Sequence, residues 1–212
     1  MLPVQESNQT EGIEVLSWWR NPVNVVLVSL VLLMIGIGIG HLSASSNSNI
    51  AHNASDVGFL QDMRIHHEQA VTMAVVYLGA SPRGGVTLRT IAREIMLEQS
   101  TEAGRMVQML RLFNESETNE SDVVMSWMGT PVPLARMPGY ASDAELDSLY
   151  RSRNADADRI FATLMIAHHK GGIHMADHAA MHGKNDEVRA LAKAIIDSQQ
   201  SEITELTKLA SL

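Results

Sequence analysis

Apolar positions follow two rhythms along this chain. Residues 23–40 read VNVVLVSLVLLMIGIGIG, 18 positions without a charge. That is near the lower length limit for a helix spanning the hydrocarbon core of a bilayer. Trp18, Trp19 and Arg20 precede it, an aromatic and positive flank suited to a membrane interface. From about residue 54 onward the apolar positions fall at helical spacing, and no alternating run reads as a strand. Breaker-dense turns at 79–85 (GASPRGG) and 183–186 (GKND) each separate two helical stretches. Between the two pairs, the chain begins polar at Asn114 and ends in Pro131, Pro133, Pro138 and Gly139. A short helix is predicted around residues 122–128, and Ser142-Asp-Ala-Glu145 reads as a capping box opening another.

The second half repeats the first. Phe59, Met63, His66, His67, Met73 and Ala74 recur as Phe161, Met165, His168, His169, Met175 and Ala176, at a constant offset of 168 − 66 = 102. The arms that follow also align, with Gln99 and Glu102 matching Gln199 and Glu202 at an offset of 199 − 99 = 100. The chain is therefore predicted to be all-α, a duplicated helical hairpin whose two copies bury their apolar faces as a four-helix bundle. The expected divisions are a cytoplasmic segment (1–21), a transmembrane anchor (22–42), a Ser/Asn-rich tether (43–53) and a bundle domain (54–212). Within the bundle, hairpin 54–113 and hairpin 154–212 flank a crossover at 114–153.

Charge sets the orientation. No Lys or Arg occurs between Arg20 and Arg64, so the positive-inside bias places the N-terminus inside and the bundle in an extracytoplasmic space, periplasmic or at the cell surface. Ser43-Ala44-Ser45 leaves a cleaved signal peptide as the alternative. The leader carries Glu6, Glu11 and Glu14, which is poor for that reading. A formal charge of −8 argues against nucleic acid as a partner. The absence of cysteine removes disulfides, thiolate metal sites and cysteine nucleophiles together.

Taking about 100° per residue, Met63, His66, His67, Ala70 and Met73 share one broad helix face, as do Met165, His168, His169, Gly172 and Met175. Imidazole and thioether are the ligands a protein offers to copper, and Ag(I) suits the same set. Zinc rarely uses thioether. Carboxylate-bridged di-metal bundles use Glu-x-x-His pairs, which this chain lacks. Glu102, Glu202, Gln99 and Gln199 are placed to orient the imidazoles from the partner helices. Met125, Met128 and Met137, with Trp127 beside them, would form a thioether-rich lid. The second copy alone adds His174, His178 and His182, where the first has Thr72, Val76 and Ala80. Two histidines at i, i+4 can chelate one metal from a single helix turn. The Gly171-Gly172 pair costs on the order of 1 kcal/mol per glycine inside a helix, which suggests a steric reason for keeping it.

The duplicated pattern Phe-x-x-x-Met-x-x-His-His-x-x-Ala/Gly-x-x-Met-Ala, each copy followed by Gln-x-x-Glu, resembles the family catalogued as domain of unknown function 305. The linker Trp127-Met-Gly…Met137-Pro-Gly resembles it too, and the match covers roughly residues 56–209. The resemblance implies a ferritin-like four-helix bundle and, for some members, periplasmic copper binding and tolerance. By motif it carries over Met63, His66, His67, Met73, Met165, His168, His169 and Met175. Tyr140 departs from the methionine expected after Met-Pro-Gly.

The bland alternatives stand beside these readings. Methionines at helical spacing are more often core than ligand. Buried histidines can be satisfied by Gln or Glu across a bundle, and a solvated face is the plain account of His174, His178 and His182. The expected function is copper sequestration or tolerance by a membrane-anchored protein, with a delivery or efflux partner that the sequence does not identify. The rival readings are a metal-dependent oxidase and a structural or partner-binding helical module without metal.

Overall fold

The computed structural model describes residues 18–44, 50–119 and 121–210. The acidic leader residues and residues 45–49 of the expected tether lie outside these. The chain divides into two compact units, Met1–Ser48 and Asn49–Leu212.

In the first unit, α1 runs Pro22–Ala44. Its stretch Pro22–Gly40 is long and apolar enough to cross a membrane, by length and composition. Leu32 and Ile39 are exposed around it, as expected of a helix apolar on every side. Trp18 and Trp19 stand edge-to-face before it, with ring centroids 4.7 Å apart.

In the second unit, α2 (Ala54–Ala80), α3 (Val86–Phe113), α5 (Ala155–His182) and α6 (Asp186–Ala210) form the two hairpins, and α4 (Asp143–Arg151) belongs to the crossover. This is the four-helix bundle that the duplication implies, ferritin-like as the family resemblance implies. Each hairpin packs along its own length, and the hairpins meet mainly through α2 against α5. Met63 shares one apolar cluster with Met175, while Met73 shares the other with Met165. The start of α2 thus faces the end of α5, so the two helices run antiparallel.

The hairpins are locked by a pair of buried or half-buried aspartates at matching positions, 158 − 56 = 102. Asn53 and Asp56 form a capping box that starts α2. Asp56 also accepts from the backbone N–H groups of Lys184 and Asn185, each at 3.1 Å, in the α5–α6 turn. Asp158 does the same for the other turn. It accepts from Ser81 Oγ at 2.7 Å, Gly85 N at 3.1 Å and Tyr77 Oη at 2.9 Å. Each aspartate lies near a helix N-terminus, where the macrodipole favours a negative charge.

The crossover differs from expectation at residues 122–128. Val123–Val124 (β1) pairs antiparallel with Val132–Pro133 (β2), and only Ser126–Met128 turns helically, as a single 3-10 turn. Met125 adopts a left-handed φ of 61°, which ends the strand and prevents an α-helix from propagating. The capping box at Ser142 and Glu145 forms as the sequence predicts.

Candidate metal centre

At mid-bundle the apolar core is interrupted by one polar layer. His66, His67, His168 and His169 are fully buried there, with Gln99 and Gln199 at 2% and 1% exposure. One apolar cluster, holding Met63 and Met175, lies to one side; the other, holding Met73 and Met165, lies to the opposite side. All four methionines are fully buried. The eight residues of the duplicated motif therefore share the bundle interior, with the imidazoles at the centre and the thioethers in the walls.

The rings of His66 and His168 stack with centroids 3.7 Å apart at 28°. Each Nε2 faces a protein oxygen. His66 Nε2–H donates to Pro138 O at 3.3 Å and His168 Nε2–H to His66 O at 2.9 Å. His67 Nε2–H donates to Glu102 Oε2 at 2.8 Å. His169 Nε2 lies 2.7 Å from Glu202 Oε2, at ion-pair distance but outside hydrogen-bond angle. Carbonyl and carboxylate oxygens only accept, so each hydrogen-bonded Nε2 carries a proton, and in the neutral His66 and His168 the lone pair is on Nδ1. All four Nδ1 atoms are buried without a partner, as are both amide atoms of Gln99 and Gln199. Glu102 thus bonds an imidazole from the partner helix as expected, Glu202 reaches His169 only at ion-pair distance, and the two glutamines make no such bond.

Burial drives the His66 pKa down to about 3, with His67 adding a further lowering, so His66 is neutral at ordinary pH. His168 is pushed well below the usual range, first by burial and then by His66 and the other two histidines. At the α3–α6 seam, burial raises the Glu98 carboxyl, helped by Glu202 and Glu102.

The glycine pair has the expected steric reason. A Cβ on Gly171 would collide with the Pro138 carbonyl, and one on Gly172 would fall 2.5 Å from Gln199 Oε1. The crossover is pinned to the same region by residues the sequence left unassigned. Gln69 exchanges two hydrogen bonds with the backbone of Ala141, at 2.8 and 2.7 Å. Buried Asp62 accepts from Met125 N at 2.7 Å and Trp127 Nε1 at 2.8 Å. Met125 and Met137 sit in the apolar cluster with Met63, at 3% and 2% exposure, and Met128 packs against it half-buried.

His174, His178 and His182 lie outside the layer. His174 and His182 are exposed and His178 is half-buried. His178 and His182 stack with ring centroids 4.1 Å apart, and Trp127 stands edge-on to His178 at 5.3 Å. The His178 pKa is lowered by burial first and then by His182 and His174. Among the described residues no three His, Asp or Glu side chains are gathered to hold a metal ion. A cavity of about 570 Å³ beside the crossover is lined by His52, Gln61, Glu115 and Trp127, and by none of the expected ligands.

A duplicated helical hairpin enclosing a buried layer of four histidines, walled by methionines, defines a class of small helical proteins. The chain belongs to one family of that class, DUF305, described as a domain of unknown function, whose model matches residues 56–210. Its fold is similar to the crystal structure of a DUF305 protein from Streptomyces coelicolor, with 33% identity, TM-score 0.67 and coverage of 73% of this chain and 91% of that one. A DUF305 fragment from Deinococcus radiodurans is 30% identical with TM-score 0.63, covering 75% and 97%. CopM in its Cu(I)-bound form is 28% identical with TM-score 0.55, covering 74% and 95%. CopM is also solved in Cu(II)-bound and Ag-bound forms, at 26% identity. No curated protein matches the chain.

Proposed function

We propose that this chain is a membrane-anchored, extracytoplasmic protein that binds copper, as Cu(I) or Cu(II) with Ag(I) as a competitor, and sequesters it or hands it on. The observation that carries the reading is the buried layer. Four buried imidazoles hold Nε2 against protein oxygens while their Nδ1 atoms have no partner. That is the arrangement in which outer hydrogen bonds fix a metal ligand's tautomer. An unpartnered buried polar atom costs about 1–3 kcal/mol, so four such nitrogens and two amides are expensive unless they are used. Thioethers beside imidazoles favour copper over zinc. CopM, with its copper- and silver-bound forms, supports the same cargo. The helix Pro22–Gly40 supports the anchor and the charge bias supports the orientation.

A second reading, a structural polar layer without metal, is favoured by the stacking of His66 on His168 and by their bonds to the backbone. Titration with Cu(I), Cu(II) and Ag(I), read by calorimetry, separates the two. Binding tighter than about micromolar, roughly 8 kcal/mol, is expected. No binding at that level for any of the three ions sinks the copper reading and leaves the structural one.

A further inference from the structure

The outer face of α5 carries a second set of soft ligands. Met181 is 71% exposed, whereas every other methionine of the bundle is buried or half-buried among the described residues. A single exposed apolar side chain is ordinary on a protein surface. This one lies three residues after His178 and directly before His182, so the three side chains share one helix turn at i, i+3 and i+4. The two imidazoles are already together, stacked 4.1 Å apart at 23°.

Their hydrogen bonding leaves ligand nitrogens free. His182 Nδ1–H donates to the His178 carbonyl at 3.0 Å, which assigns the lone pair to Nε2. The contacts of the His178 ring are to other rings, His182 and Trp127. The position also favours a cation. His182 lies in the last turn of α5, where the helix macrodipole is negative, and the exposed Asp177 precedes His178.

We propose that His178, Met181 and His182 form a surface chelate for a soft monovalent cation, Cu(I) or Ag(I), separate from the buried imidazole layer. Two imidazoles and one thioether suit a soft d¹⁰ ion better than a hard divalent one. The same two imidazoles also bind Cu(II), which the thioether serves poorly. The site is open to solvent, so it exchanges its ion readily, and His174 one turn earlier extends the reachable ligands along the helix. Trp127, held by Asp62 and edge-on to His178, is a built-in reporter.

The test uses the full chain in detergent micelles with Trp18→Phe and Trp19→Phe, so that Trp127 is the sole tryptophan. Cu(II) is expected to quench its emission saturably, with one ion per chain. His178→Gln with His182→Gln should abolish the quench, and circular dichroism checks that the helices remain. Met181→Leu should weaken Ag(I) binding about tenfold, measured by competition, and leave the Cu(II) curve unchanged. A quench that survives His178→Gln/His182→Gln, or Ag(I) affinity untouched by Met181→Leu, overturns the proposal. His66→Gln with His168→Gln should keep the quench while removing any ion held in the buried layer. Failure of the surface chelate and failure of the buried layer are therefore read separately.

Discussion

Lowering the pH from 6.5 to 4.5 probes the buried imidazole layer directly. In the unfolded chain a histidine titrates near 6.5 and takes up a proton over this range. In the folded bundle His66 is held at about 3 by burial and by His67, so it stays neutral. The unfolded state then binds more protons than the folded one, and stability falls as pH falls through the window between about 3 and 6.5. One such proton is worth about 1.4 kcal/mol per pH unit, so His66 alone removes about 2 kcal/mol over these two units. His168, shifted in the same direction, adds to the loss. His52 works oppositely: its pKa is raised by the Ile50 carbonyl and by Glu115, so its contribution is present at low pH and fades as pH rises. Carboxylates held low, such as Glu145 at its helix cap, share the sign of His66. The clean measurement is therefore a difference. Urea unfolding of the wild type and of His66→Gln, followed at several pH values, should show the variant losing about 2 kcal/mol less between pH 6.5 and 4.5. Equal pH slopes for the two proteins would refute the argument that His66 is buried neutral.

The remaining predictions concern packing, the clasp aspartates and the metal. Gly171→Ala should destabilise by about 1–3 kcal/mol, because its methyl meets a backbone carbonyl that cannot yield without moving the crossover. Gly172→Ala should be close to neutral, since it meets the end of a flexible glutamine and gains about 1 kcal/mol of helix propensity. Thermal melts of the two variants check the contrast. Asp158→Asn and Asp56→Asn should each cost about 1–3 kcal/mol by weakening the bonds to an opposite turn, and the double variant should be additive because the sites are distant. An unperturbed imidazole ligand would lose about 25-fold in affinity between pH 7 and pH 5 to proton competition. Copper in the buried layer should lose far less, because His66 does not titrate there. His66→Ala with His168→Ala should lower copper affinity more than His174→Ala; the reverse order would move the main site to the helix surface.

Much of this was readable because duplication writes each structural requirement twice. The paired motif, the two turns and the shared face of His66, Met63 and Met73 follow from helical spacing and a fixed offset. The approach of Glu102 to His67 and of Glu202 to His169 follows from the aligned arms. The clasp aspartates escaped notice because an acidic residue at a helix start usually serves its own cap and faces water. Their offset of 102, equal to that of the histidines, was the available signal. Asp62 and Gln69 escaped for the opposite reason. Their repeat partners are Leu164 and Gly171, so no pattern marks them, and their task is to bind a crossover that exists once. The two-stranded ribbon was illegible because β1 and β2 are each two residues long and depend on Met125 adopting a left-handed backbone.

Two departures from the repeat concern the crossover and the outer face of α5. If the copies were strictly equivalent, His66 would donate to the carbonyl of His168, as His168 donates to that of His66. Instead Gly139, at a left-handed φ of 77°, lies against the His168 backbone, and His66 donates to Pro138. Gly171 makes room for this segment where the first copy has Gln69, and Gln69 ties the segment down where the second copy has Gly171. The crossover has thus been built into the histidine layer at the cost of its symmetry. One imidazole of the stacked pair is consequently tied to a loop and the other to a helix. Asp62 holds both that crossover and Trp127, whose indole stands against His178. The loop that caps the buried histidines and the ring that reports on the surface pair are therefore fastened to the same carboxylate.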